Sequence, residues 1–440
     1  MAPIGGGNFT LQNKVLPGTY VNFVSASGGV SAGSRGVASV PVELNWGAED
    51  TIIKMDSGDF NKQAVTVFGY DATAPELLLI REAFKRAKTL LIYRVNGGGS
   101  KATKEIGGIT VTARYSGTRG NALKVAVLEN TDGSFDVVTY LDTTEMDRQT
   151  VTEAAGLTAN DFVVFGGEGS LSAAVATALE GGTNGTANGA AYTKYLSAVE
   201  VEQFNTLCYP GTDSETKGLF VAFVKRLRDD EGKKITGVLT GQKADYEGII
   251  NVKNGVVLES GETLPPEKAV AWVCGAAAAA EINQSLTNTA YDGAVDVSEK
   301  YTRSQYEAAI KAGEFVFYAE NQQARVLTDI NSLTTFAGGK TSDFTSNRLI
   351  RVLDGWANDV ARIFGASYLG LATNNDTGRQ LFKADLVSLG NQYQDIGAIS
   401  DFESADIEIA QGAGKRDVAV ASALKPNDSM EKLYMTVHVA

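Results

Sequence analysis

Two glycine-rich clusters constrain the fold of this chain more than any other feature. Gly97-Gly98-Gly99 and Gly181-Gly182-Thr183-Asn184-Gly185 bracket a block that reads in a different period from the sequence around it. Inside the block, Ile109–Ala113 and Leu123–Leu128 alternate as half-buried strands do, and Asp132-Gly133 is a hairpin turn into Phe135–Tyr140. Outside it, helix and strand signals take turns. Ala74–Lys88 carries Leu77, Ile80, Phe84 and Ala87 at helical spacing with Pro75 near its first turn, and Leu90–Val95 follows as a strand. Beyond the second cluster come a helix over Ala191–Gln203, a strand over Phe204–Tyr209, a helix over Glu215–Arg228, a strand over Ile235–Thr240 and a helix over Glu267–Asn283. Such alternation implies a largely parallel sheet covered by helices. The block between the clusters reads as a β-rich domain inserted into that sheet through flexible glycine hinges.

The final third has its own character. Phe315–Tyr318 and Val326–Asp329 suggest short strands. Over Ser346–Phe364, Leu349, Val352, Leu353, Trp356, Val360, Ile363 and Phe364 form one apolar stripe, with Ser346 to cap the start and Gly365 the end. A second helix is expected over Arg379–Tyr393, then strands at Asp406–Ala410, Asp417–Leu424 and Lys432–Val439. At the other end, residues 1–16 lack any amphipathic period, Gly5-Gly6-Gly7 cannot hold a packed shape by itself, and Thr19–Val24 reads as a strand after the Pro17-Gly18 turn. The fold class is therefore α/β and α+β multidomain. An N-terminal arm occupies 1–20, an α/β middle domain 21–100 and 190–330, the inserted β-rich outer domain 101–189, a C-terminal domain 331–430 and a C-terminal arm strand 431–440. The last strand sets Leu433, Met435, Val437 and Val439 against Tyr434, Thr436 and His438. A terminal strand with an apolar face needs a sheet to join, either in its own domain or in a neighbouring subunit. Tyr20, Val21 and Phe23, with Leu433, Met435, Val437 and Val439, are the candidate subunit-interaction residues.

Chemistry is hard to place on this chain. The single histidine is His438, close to the C-terminus, so no Ser-His-Asp or Cys-His arrangement can be assembled around an internal imidazole. Cys208 and Cys274 sit in apolar surroundings and read as buried, reduced thiols; with one histidine they cannot supply a zinc site. Gly97-Gly98-Gly99-Ser100 follows a strand but lacks the lysine of a phosphate loop, and Asn374–Arg379 lacks the acidic first residue and the later glutamate of a calcium loop. No cofactor, no metal and no catalytic residue is expected. A formal net charge of −13 repels phosphate backbones, so nucleic acid is not an expected partner. The first residues lack the basic and apolar regions of a signal peptide and no apolar run approaches membrane-spanning length, so neither export nor membrane insertion is expected. A carboxylate-only α/β enzyme is the alternative from another functional class.

Several segments resemble one family. Arg348–Asn375 (RLIRVLDGWANDVARIFGASYLGLATNN) resembles the helix and loop of contractile-tail sheath proteins, as do Thr328–Phe336 (TDINSLTTF) and Gly313–Phe317 (GEFVF). Met430–Ala440 (MEKLYMTVHVA) is similar to the terminal strand of sheaths carried by tailed phages and prophages of Gram-positive bacteria. Pro17–Val24, Ala113–Val125, Gly181–Gly185 and Ser285–Asn288 fit the same family in the same order. The resemblance implies a structural subunit that stacks in rings around an inner tube, exchanges terminal strands with neighbouring copies, and shortens without nucleotide to drive the tube through a cell envelope. Its implied partners are copies of itself, a tail tube protein, and baseplate and tail terminator proteins. Its implied location is the virion tail, assembled in the host cytoplasm. A bacteriocin-type or secretion-type sheath shares that architecture. The resemblance also puts the C-terminal domain nearest the tube. Arg348, Arg351 and Arg362 fall with Asn358 on one polar face of their helix. They are expected either to pair with Asp354 or Asp359 or to face an acidic stripe on the tube.

Overall fold

Along the strand Thr89–Arg94, Leu90 and Ile92 enter one hydrophobic cluster, and Leu91 and Tyr93 enter another. This is the period of a strand buried on both faces, which makes it part of a middle layer. The computed structural model describes residues 33–167 and 169–439, together with the backbone of Gly5–Gly7 and Gly18–Tyr20. The layer is a seven-stranded sheet in the spatial order Glu314–Phe315, Ile249–Val252, Thr236–Thr240, Thr206–Cys208, Val37–Val42, Thr89–Arg94, Ile52–Asp56. Every pairing is parallel except the last, where Ile52–Asp56 runs antiparallel to Thr89–Arg94. Its central strand Thr206–Cys208 is fully buried, as a strand covered on both faces must be.

One face is covered by the helices Leu78–Phe84 and Pro266–Ala279. Ala269 to Ala278 are buried on every side, so the alanine-rich helix is a core element rather than an amphipathic surface one. Its Gly275 approaches the neighbouring helix so closely that a Cβ there would lie 2.3 Å from the Ala83 carbonyl oxygen. Helices Gly189–Glu200 and Ser214–Lys225 cover the other face, where Tyr192, Tyr195, Tyr209 and Phe220 form one aromatic cluster. Cys208 and Cys274 are buried and free, both with Sγ near the Ser39 carbonyl oxygen, and burial pushes the Cys208 thiol up.

Between the glycine clusters lies a β-sandwich. One sheet runs Thr144–Val151, Phe135–Leu141, Leu123–Glu129, Ala174–Ala178; the other runs Val163–Gly166, Ile109–Ser116, Lys101–Ile106. Their inner faces share a core with Val111, Val125, Val127, Val137 and Val163. The connectors do not behave as the flexible hinges the sequence suggests. Gly185 N–H donates to Asn96 O at 3.0 Å, and a Cβ on Gly99 or Gly185 would lie 1.8 Å from a carbonyl oxygen of the other connector. The glycines are there because the two crossing backbones touch, and contact of that kind fixes the joint. Buried Arg94 adds hydrogen bonds to Gly47 O and Ser116 O at 3.1 and 2.9 Å.

The C-terminal part packs helices Asn347–Ser367 and Asp376–Asp395 with a hairpin, Ile407–Gln411 and Val418–Ser422, around Trp356, Phe382, Leu386 and Tyr393. Ser346 caps the first helix through the Leu349 amide, but Gly365 does not end it, since the helix continues to Ser367 and the left-handed turn comes at Gly370. The strand expected at Val326–Asp329 lies earlier, at Gln323–Val326, set by a turn in which Asn321 and Gln322 both take positive φ. Gly5–Gly7 pairs in parallel with Gly18–Tyr20, contrary to the shapeless reading of that triplet. Val21 and Phe23 lie outside the described residues.

Candidate assembly surface

The two-stranded ladder Ile407–Gln411 with Val418–Ser422 has no third strand on either edge among the described residues. Ile407 is buried and Ile409 and Val418 pack against the same core, which anchors one face. Residues 419–422 of the second strand are exposed. A ladder with open edges presents unpaired backbone N–H and C=O groups.

The terminal segment is its counterpart. Its root is held: Ser400 N–H donates to Lys425 O at 3.0 Å and Asn427 N–H to Ala398 O at 2.9 Å. After Glu431, residues 432–439 make no hydrogen bond or ion pair among the described residues and form no strand with their own domain. Leu433, Met435, Val437 and Val439 are 86, 74, 69 and 91 % exposed. An apolar stripe left that open is unusual for a chain in isolation.

The arginines separate on the structure. The first half of helix Asn347–Ser367 is enclosed by the chain, and its surface opens only from Ala361 onward. Arg351 is buried, donates to Gln284 O and lies 3.5 Å from Asp329, so it meets the subunit interior and not a partner. This corrects the expectation of one arginine face. Asp354 pairs with Arg228, at 2.6 and 2.8 Å, rather than with a helix neighbour. Asn358 exchanges hydrogen bonds with the Lys234 backbone. Arg348 is half-buried, whereas the Arg362 side chain is 48 % exposed and pairs with Asp359 at 3.1 Å.

The sequence reading missed the polar joint beneath these elements. Asp329 is buried and accepts from the Leu286 amide at 3.0 Å and from Asn347 Nδ2 at 2.8 Å. Arg35 reaches the same region, donating to Ala280 O and Ala277 O; burial, helped by Arg351, lowers its pKa to about 10. Nothing local distinguishes Asp329 or Arg35 in sequence, because their partners are distant in the chain. A cavity of about 390 Å³ lies where the two C-terminal helices meet the hairpin turn, with Phe364, Tyr368, Phe382, Val418, Arg379 and Arg416 among its lining. Among the described residues no group of His, Cys, Asp and Glu is placed to hold a metal ion, and no helix is long and apolar enough to cross a membrane.

Among the described residues the fold presents an open ladder and an unpaired terminal segment. Family models cover nearly all of the chain: Tail sheath protein Gp18 domain III N-terminal region over 35–95, Phage tail sheath protein beta-sandwich domain over 97–184, Phage tail sheath protein central domain over 185–332 and Phage tail sheath C-terminal domain over 339–440. The sheath tail protein of Desulfitobacterium hafniense is 45% identical with a TM-score of 0.85, covering 96% of this chain and 99% of that one. The phage-like element PBSX protein XkdK of Bacillus subtilis is 38% identical over 99% of this chain and 100% of its own. The anti-feeding prophage helical sheath in its contracted state, at 13% identity and a TM-score of 0.57 over 96% of this chain and 99% of that one, shares the fold. The chain belongs to the phage tail sheath protein family and is a structural protein, not an enzyme.

Proposed function

We propose that this chain is the repeating subunit of a contractile tail sheath that polymerises around an inner tube and shortens to drive it through a cell envelope. The observation that carries the reading is the match between the open hairpin edges and the unpaired segment 432–439. On the hairpin, Ile407 and Ile409 share the anchored face with their partners Ser422 and Val420. A segment from a second copy, added to either edge, can place Leu433, Met435, Val437 and Val439 on that face and its backbone on the open ladder. Each main-chain hydrogen bond so made contributes about 1 kcal/mol net. Strand addition links subunits through flexible segments, so a mesh of this kind survives a change in how the subunit bodies contact one another. The sandwich then lies on the outside of the sheath, with the C-terminal domain nearest the tube and baseplate contacts at the ends of the polymer. Among the three arginines, Arg362 is the one whose exposure suits a tube contact.

Removing residues 432–440 tests the reading. The truncated chain is expected to remain folded by circular dichroism and to sediment as a monomer under conditions where the full chain forms rings or cylinders seen by negative stain. Normal cylinders from the truncated chain overturn it.

A further inference from the structure

The last side-chain tie of the described chain before the unpaired segment is at Glu431, which accepts from Ser429 Oγ nearby at 3.4 Å and from two hydroxyls far away in sequence. Thr287 Oγ1 donates to Glu431 Oε1 at 2.7 Å, and Thr328 Oγ1 donates to Glu431 Oε2 at 3.0 Å. Thr287 Oγ1 in turn accepts the Asp329 amide at 2.9 Å, so its own hydrogen is directed outward to the carboxylate. Asp329 also binds the start of helix Asn347–Ser367 twice: Asn347 N–H donates to its carbonyl at 3.0 Å and Asn347 Nδ2 to its Oδ1 at 2.8 Å. Its other oxygen takes the Leu286 amide and faces Arg351. The path runs without a break from the C-terminal segment, through Thr287, to the place where the loop after helix Pro266–Ala279 meets helix Asn347–Ser367.

We infer that Glu431 is a latch: its carboxylate fixes the root of the C-terminal segment to Thr287 and Thr328, and so ties the segment's direction to the Asp329 joint between the α/β part and the C-terminal helices. The inference rests on the reading of 432–439 as a donated strand and adds what aims it. Without the latch, Asn427 is the last residue tied to the rest of the molecule, and the segment pivots four residues earlier. A pivot there adds conformations that assembly must then remove. The same path makes the joint and the segment respond together. A shift of the C-terminal helices relative to the sheet moves Asp329, Thr287 and the latch with it. Glu431 is a positioning residue: nothing in the proposal requires it to touch the neighbouring copy.

Two variants of the full chain test this, T328V and E431A. T328V removes one hydroxyl with little change of volume and leaves residues 425–440 as they are. In the isolated protein, trypsin cleavage after Lys432 needs the segment to leave the latch, so its rate follows the open population. T328V is expected to raise that rate about five-fold, equivalent to roughly 1 kcal/mol at 1.4 kcal/mol per factor of ten. E431A is expected to raise it at least as much, and the double variant less than the product of the two, since both remove the same contact. Both variants are also expected to raise the concentration at which cylinders form, with an unchanged circular dichroism spectrum. Wild-type cleavage and wild-type assembly in T328V overturn the latch. If the chain truncated before residue 432 still forms normal cylinders, the donated-strand reading falls and takes the latch with it; if that truncation fails to assemble while T328V behaves as wild type, only the latch falls. Should E431A misfold, T328V carries the test alone.

Discussion

Replacing Asp354 with alanine isolates a buried ion pair between the α/β part and the C-terminal helices. Arg228, in the last turn after helix Ser214–Lys225, reaches Asp354 with two bonds of 2.6 and 2.8 Å, and the side chains are 4 and 11 % exposed. Burial works against the Arg228 charge, but Asp354 outweighs it and holds the pKa above the usual arginine value. Arg228 Nη1 also donates to Ile235 O at 2.8 Å, and the guanidinium lies 5.9 Å from the Tyr246 ring centroid, so the arginine cannot swing out without losing further contacts. D354A therefore leaves an uncompensated buried cation, a change that costs about 3–5 kcal/mol. If helices Asn347–Ser367 and Asp376–Asp395 melt as a unit of about 100 residues, that cost lowers their midpoint by at least ~12 °C. If all 440 residues unfold together, at ~2.1 cal/mol/K per residue, the shift is only about 3–5 °C. Scanning calorimetry of the 432–440 truncation, which removes polymer effects, measures both the shift and the size of the unit. R228M/D354L, which replaces the pair by apolar side chains, is expected to recover most of the loss. A D354A midpoint within 1 °C of the parent, or a double variant as unstable as D354A, refutes the argument that the pair is a buried lock.

Further predictions follow from the sandwich and from the arginines. Trp46 lies outside the block but inside its core, 1 % exposed, with Tyr115 edge-on at 5.3 Å and Phe162 stacked at 6.3 Å. Deleting 97–184 and joining the touching ends Asn96 and Gly185 through a short linker is therefore expected to give a folded but aggregating chain. Adding W46S is expected to make it monodisperse in size-exclusion chromatography, and aggregation that persists with W46S sinks the idea that the sandwich is a separable insert. R351E sets a second acid beside buried Asp329 and is expected to give insoluble protein, whereas R362E is expected to stay folded and to lose co-sedimentation with tail tubes at low salt. A soluble, native-like R351E contradicts the burial argument, and unchanged tube binding by R362E removes that residue from the tube contact.

What the sequence determined by itself is what short-range periodicity encodes. The alternation of strands and helices specified a parallel sheet because a strand buried on both faces needs crossover helices, and Leu90–Tyr93 distribute themselves to the two cores accordingly. Asp132-Gly133 specified its hairpin because the backbone at Gly133 takes positive φ. The stripe from Leu349 to Phe364 specified a helix, whereas the apolar alternation over Lys432–Val439, read as a strand, forms none with its own domain. Only the tertiary structure decided where those faces point. Helical spacing placed Arg348, Arg351 and Arg362 together, yet it carries no knowledge of Asp329 or of the Gln284 carbonyl, so Arg351 is interior and Arg362 is not. The glycine clusters read as hinges because glycine is locally permissive; the fold uses them where Gly99 and Gly185 let two connectors touch, which fixes the joint. Glu431 illustrates the same limit. Its partners Thr287 and Thr328 are 144 and 103 residues away, and a contact over such a separation exists only once the sheet and the C-terminal helices have brought the three together.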